Sequence, residues 1–272
     1  MAKLLFLVLL TIYSITINLA CFAAPVIKIY TSEEPPLNFS IGPSKESAAG
    51  SDVSGFATDV VREILALTNN SSTPIVLLPW ARAYQYTLYG ENVFLFSMGR
   101  TKQREQLFQW IGPLAEKKAI LYSTQKTKVT ISSLDDAKTV TSIATVIDDS
   151  KEQYLKSQGF TNLSSSPIWK QAIQKLFINR AVLLAQTDLD IPFIVREAGY
   201  SIDQIKPVYE LYKFQLFIGT SKQTSPQLVS HWQQALDTIK KNGRFKTLVK
   251  KWSDYYQLTN WQYQKGMLRV VY

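Results

Sequence analysis

The sequence is poor in the residues from which reactive centres are most often built. It holds one cysteine and one histidine among 272 residues. Cys21 lies near the N-terminus in a segment expected to be removed, so the mature chain would have no disulfide and no thiol nucleophile. The lone His231 excludes zinc sites built on two or more imidazoles and the HExxH pattern. It stands beside Trp232 on an amphipathic stretch, at a position that reads as solvent-facing. A Ser–His–Asp triad would have to recruit this one histidine, and no serine occupies an elbow motif. Glycine-rich phosphate loops, the GxGxxG step and an EF-hand calcium loop are all missing. No metal and no organic cofactor is therefore expected. Basic residues exceed acidic ones to give a formal charge of +9, but no block of five or more Lys/Arg occurs. Lys240, Lys241, Arg244, Lys246, Lys250 and Lys251 recur at helical spacing and read as a solvated face, so nucleic acid is not an expected partner.

What is present begins with an export signal. Lys3 precedes an apolar run from Leu4 to Ile17, followed by the small residues Ala20, Ala23 and Ala24. That order defines a secretory leader over residues 1–23, with cleavage between Ala23 and Ala24. The run falls short of the ~20 residues that span a bilayer. Leu19-Ala20-Cys21 is part of a lipobox, although Asn18 stands where an aliphatic residue is usual. Cys21 is thus either discarded with the leader or is a lipid-bearing first residue. No second apolar stretch is long enough to cross a membrane.

The rest alternates between strand and helix signals. Val26–Tyr30 reads as a strand, followed by a loop at Thr31–Pro36 and a polar Gly/Ser-rich loop at Ser40–Ser54. Val60, Val61, Ile64 and Leu65 form one face of a helix over Phe56–Thr68. A strand at Ile75–Leu78, a helix at Ala81–Leu88 and a strand at Val93–Met98 complete the first unit. Further strands are expected at Lys118–Ser123, Ser142–Ile147, Ala181–Ala185 and Val208–Ile218. Helices are expected at Ser133, Ser150–Gln158, Ile168–Phe177, Ile191–Ala198, Pro226–Lys241 and Arg244–Trp252. The α/β order runs twice, which predicts two lobes, each a mostly parallel sheet flanked by helices. One strand near 118–123 and a return near 213–219 predict a two-strand hinge. Lobe one would comprise 24–118 and 215–272, and lobe two 119–214. The aromatic-rich tail Tyr255–Tyr272 fits no recognisable pattern.

Five segments, in order, resemble the family 3 extracellular solute-binding proteins, the polar amino acid-binding type of ABC-transporter receptor. They are Glu34-Pro-Pro-Leu-Asn-Phe39, Gly55-Phe56 to Asp59-Val60-Val61, and Leu78-Pro-Trp-Ala-Arg-Ala-Tyr84. Arg100-Thr101 to Arg104-Glu105, continuing through Phe108, Trp110 and Ile111-Gly-Pro113, is the most specific. Asn242-Gly-Arg-Phe to Lys251-Trp252 is the last. The resemblance spans about Ile27 to Trp252 and implies a periplasmic binding protein-like fold with ligand in an interlobe cleft.

The resemblance also implies a site. The family holds a ligand carboxylate with the arginine of a Thr-x-x-Arg step, here Thr101 to Arg104. A guanidinium presents a planar fork of donors that matches a carboxylate. Arg100 and Arg82 follow neighbouring strand ends, so three arginines are expected to make a positive cleft for an anionic ligand. Trp80, Tyr84 and Trp110 are either stacking platforms or core. Glu34 stands where the family often has an aromatic, and is either an ammonium partner or a solvated acid. The acid that usually holds an α-ammonium is replaced by Thr187, with Asp188 and Asp190 close by. Asp188 either substitutes for it or the ligand lacks an amino group.

Three readings follow. The first is a monomeric periplasmic receptor for a small anionic or zwitterionic solute, amino acid-like, which feeds an ABC permease and meets a membrane only through that partner or through lipid on Cys21. The second is a cyclohexadienyl dehydratase-like enzyme on the same scaffold. The third is a stand-alone sensory or orphan receptor.

Overall fold

A computed structural model describes residues 26–42 and 49–271, and the expected leader, its cleavage point and Cys21 lie outside the described residues. Strands β1 (Lys28–Thr31), β4 (Ile75–Leu77) and β5 (Val93–Arg100) pair in parallel. The short β2 (Phe39–Ser40) and β3 (Val53–Ser54) close the polar loop between them as an antiparallel pair. In the second half, β7 (Ile143–Val146), β8 (Leu163–Ser166) and β9 (Leu183–Thr187) are also parallel. Two 17-residue strands, β6 (Phe108–Thr124) and β10 (Ile205–Ser221), run antiparallel to each other and through both halves. The sheet order is β4-β1-β5-β10-β6-β9-β7-β8. β10 pairs with β5 from Gln215 to Thr220, and β6 pairs with β9 from Ala119 to Tyr122. The ladder therefore changes its outer neighbour close to the Lys118–Lys213 pair.

Both crossing strands are longer than expected. Their expected starts, Lys118 and Val208, lie five residues after Pro113 and one after Pro207. Proline lacks the N–H that a central ladder uses, and register irregularities beside both prolines absorb the loss.

The helices follow from their apolar stripes. Helix α1 (Phe56–Leu67) buries Phe56, Val60, Val61, Ile64 and Leu65 against the first half of the sheet. It starts at Gly55, whose φ of 128° no other residue type adopts without strain. Helix α2 (Trp80–Tyr89) covers the other face through Ala83, with Leu78, Leu95, Met98 and Phe108 beneath. Helices α3 (Leu134–Thr139), α4 (Ser150–Ser157), α5 (Trp169–Phe177) and α6 (Ile191–Glu197) enclose the second half in two clusters, one on each face. Ser133 closes a capping box with Asp136 at the start of α3.

Helices α7 (Pro226–Lys241) and α8 (Arg244–Tyr255) return to the first half, where Trp232 stacks on Phe94 at 4.0 Å. His231 is exposed, and so are Lys241, Arg244, Lys246, Lys250 and Lys251. Lys240 departs from the solvated face expected of it. It is half-buried, donates to the Pro113 carbonyl at 2.7 Å, and burial pushes its pKa down to about 8. The tail is an ordered hairpin, β11 (Trp261–Gln264) and β12 (Met267–Val270). Its turn, Lys265-Gly266, has two positive φ angles, 51° and 75°, as a type I′ turn requires. Trp261 and Leu268 enter the core of the first half, and Leu268 joins β6 opposite Ala115. Among the described residues no helix is long and apolar enough to cross a membrane.

Candidate ligand cleft

A cavity of about 330 Å³ lies between the two halves of the sheet. The loop after β1 contributes Ser32, Glu33 and Glu34, and the end of β4 with the start of α2 contributes Leu77 to Trp80. From the opposite side come Val146, Asp149 to Lys151, Pro167 to Trp169, Gln186, Asp190 and Ile194. Ser97 reaches the cavity because β5 bulges there. Its φ is 60°, and its hydroxyl donates to the Asn38 side chain.

Arg104 is the centre of the site's electrostatics. It lies in the turn between β5 and β6, and only 1% of it is exposed. One terminal nitrogen donates to the Gly99 carbonyl at 3.4 Å. The other crosses the cavity to the Asp148 carbonyl at 3.3 Å and to Gln153 Oε1 at 3.2 Å. Trp80 and Tyr84 place their rings 5.1 and 5.3 Å from the guanidinium carbon. Its Nε is buried with no acceptor, and among the described residues no carboxylate forms an ion pair with it. Burial lowers its pKa, partly offset by Tyr84 and Asp149, but a guanidinium stays charged in proteins. A desolvated cation that lines a cavity without a carboxylate partner can pair there with an anion.

The other arginines are elsewhere, so the expected cluster of three does not form. Arg100 lines a shallow outer groove, where it pairs with Glu105 at 2.6 Å and sits over Trp110 and Phe217. Thr101 faces that same groove, and Trp110 packs among Phe108 and Phe217. Arg82 is exposed on α2 and does not line the cavity. Trp80 does line it, and its indole donates across to the Asp148 carbonyl at 3.4 Å. Two groups on each side, Trp80 and Arg104 against Asp148 and Gln153, thus tie the halves together.

The acids are also redistributed. Asp188 is buried behind the cavity, where it accepts from the Lys118 backbone N–H at 3.0 Å, and burial raises its pKa. Asp190, two residues on, is the one in the wall. Sequence reasoning missed its partner, Lys117. This lysine is wholly buried on β6, with Nζ 2.6 Å from both Asp190 oxygens and 2.5 Å from Glu34 Oε1. One ammonium cannot neutralise two carboxylates, of which Asp190 is buried and Glu34 half-buried. Burial accordingly pushes Glu34 up to about 7, against the pull of Lys117 and with the push of Asp190. Among the described residues no cluster of three or more metal-ligating side chains occurs.

Two lobes joined by a pair of long strands, with a charged cavity at the crossing, define a two-lobed binding receptor. The chain belongs to the bacterial extracellular solute-binding proteins, family 3, whose model matches residues 27–255. Solved structures agree on the fold. An ancestral arginine-binding protein bound to arginine superposes with a TM-score of 0.70 at 17% identity, over 85% of this chain and 99% of that one. The GluR0 ligand-binding core from Nostoc punctiforme in complex with (L)-glutamate gives 0.68 at 20% identity, over 84% and 100%. A histidine kinase sensor domain with similarity to periplasmic binding proteins gives 0.72 at 16% identity, over 83% and 95%. No curated protein matches the chain.

Proposed function

We propose that the protein is an exported periplasmic receptor that captures a small anionic or zwitterionic solute in the cleft and delivers it to an ABC importer. The observation that carries the reading is the buried guanidinium of Arg104, which lines the cavity and has no carboxylate partner among the described residues. A ligand carboxylate supplies the missing charge and acceptors. In this reading the described residues of 24–118 and 215–272 belong to one lobe and 119–214 to the other, with the hinge where β6 and β10 exchange neighbours. Contacts such as Trp80 and Arg104 to Asp148 exist only when the lobes are closed, so a ligand that bridges them shifts the population towards closure. Arg104 is the anion anchor and Trp80 its stacking partner. Arg100, Arg82, Thr101 and Asp188 have no direct part in the reading, because they lie outside the cavity wall. Structural relatives that bind amino acids support a ligand of comparable size.

The test is thermal unfolding of the mature protein against a panel of amino acids, dicarboxylates and other small anions, with Arg104→Ala alongside. One class should raise the melting temperature through binding linkage, and the variant should lose the shift. A shift that survives in the variant refutes Arg104 as anchor. A second reading rests on Glu34, since a carboxyl near 7 in a cleft suits general acid work and a dehydratase-like enzyme. Disappearance of prephenate on incubation with the protein would establish that reading, and persistence of prephenate would remove it.

A further inference from the structure

The carboxylates of the cavity wall are Glu33, Glu34, Asp149 and Asp190, and each already has a donor in place. Glu33 accepts from the Ser40 backbone N–H at 3.0 Å. Asp149 is held by Lys151, through its N–H at 2.7 Å and its Nζ at 2.6 Å. Glu34 and Asp190 share the Lys117 ammonium, and the Thr187 hydroxyl also donates to Asp190. Lys117 comes from a crossing strand, Glu34 from one lobe and Asp190 from the other, so this internal ammonium joins acids from both sides of the cleft. The wall thus offers one cation without a carboxylate, Arg104, and no carboxylate without a cation or N–H donor. Most of the remaining lining is apolar, with Leu77, Leu78, Trp80, Trp169, Phe214 and Leu216 among it.

We infer that Lys117 determines specificity: its ammonium engages the two acids that a ligand ammonium would need, so the cleft takes a carboxylate with an apolar body and no amino group. The inference rests on the receptor reading above and names its ligand class. An α-ammonium carried in beside Arg104 would lose its water and find Glu34 and Asp190 already engaged by Lys117, and Asp149 by Lys151. An apolar body would instead replace water against leucine and aromatic side chains, which is favourable in proportion to the area covered. The same chain of contacts explains why the acid usual after β9 is dispensable here. Thr187, which stands in its place, serves Asp190 instead of a ligand.

The experiment uses matched pairs that differ only in the amino group: 3-phenylpropionate with L-phenylalanine, 4-methylpentanoate with L-leucine, and indole-3-propionate with L-tryptophan. Binding to the mature protein is read by thermal shift and by titration calorimetry, in wild type and in Arg104→Ala. Within any pair that binds, the acid without the amino group should bind at least about tenfold tighter, the discrimination expected when a charged group is left unpaired. Arg104→Ala should lose that binding. Lys117→Met, which keeps the stem and removes the charge, should bring the pair to parity or reverse it. An unchanged preference in a folded Lys117→Met protein overturns the role of the lysine. Should that variant not fold, the wild-type preference decides alone. Equal or tighter binding of the amino acid, lost in Arg104→Ala, overturns the inference and leaves the receptor reading intact. Binding indifferent to Arg104→Ala overturns both. No shift with any pair overturns the inference, and the wider anion panel then bears on the receptor reading separately.

Discussion

Glu34→Gln should make the protein more stable than wild type above neutral pH and leave it unchanged in mild acid. Burial raises the folded-state pKa of Glu34 from 4.5 to about 7. The native state therefore holds this proton more tightly than the unfolded chain does. A raised carboxyl pKa contributes stability that is present in acid and is lost as pH rises from about 4.5 through about 7. One pKa unit corresponds to ~1.4 kcal/mol, which sets a ceiling of about 3.5 kcal/mol. The side chain is 26% exposed, and solvent at the carboxylate trims the effect to roughly 1–2 kcal/mol. Glutamine keeps an oxygen for Lys117 to donate to and has no proton to lose. Near pH ~4, below the unfolded pKa, the two proteins should unfold at the same urea concentration, and near pH ~8 the variant should lead by about 1–2 kcal/mol at unchanged m-value. Asp188 is raised in the same direction, but it is common to both proteins and cancels in the difference. A variant less stable than wild type at the higher pH would show that Lys117 stabilises an ionised Glu34, and would refute the reasoning.

Two further changes probe the frame that holds the cleft. Gly55→Ala should cost about 3 kcal/mol or more, because φ is 128° and an added Cβ would lie 2.2 Å from the Leu37 carbonyl oxygen. A drop of under about 1 kcal/mol in urea unfolding would count against that geometry. Trp261→Ala should cost about 3–5 kcal/mol, since the tail hairpin seats this ring in the core of the first lobe. An unchanged melting temperature would mean that the hairpin is not part of the cooperative unit.

Much of the fold is legible in the sequence. The period of Val60, Val61, Ile64 and Leu65 places α1, and Ser133 with Asp136 places the start of α3. What escaped has physical causes. Pro113 and Pro207 disguise two long strands as shorter ones, and the four-residue strand at Leu163–Ser166 is nearly all serine. The tail hairpin has its turn signal in Lys265-Gly266, but the flanking strands are too short for an alternating pattern to stand out. The site was less legible. Arg104 could be singled out only through its Thr-x-x-Arg spacing, and that spacing says nothing of Arg100 turning outward. Lys117 stands in Glu116-Lys117-Lys118, where no motif marks it. Its signal was register, because Ala115, Lys117, Ala119 and Leu121 alternate on one buried face of β6. A lysine in such a row must find acids, and only the folded chain shows that Glu34 and Asp190, 83 and 73 residues away, are the ones.

The most direct measurement is the affinity of the carboxylate that gives the largest thermal shift, taken by calorimetry on wild type, Arg104→Ala, Arg100→Ala and Arg82→Ala. Loss of a charge-assisted bond to a buried guanidinium should weaken Arg104→Ala by about 1.5–3 kcal/mol, with the other two variants at wild-type affinity. Undiminished binding by Arg104→Ala, or an equal loss in Arg82→Ala, would contradict an interlobe cleft built around a single buried arginine.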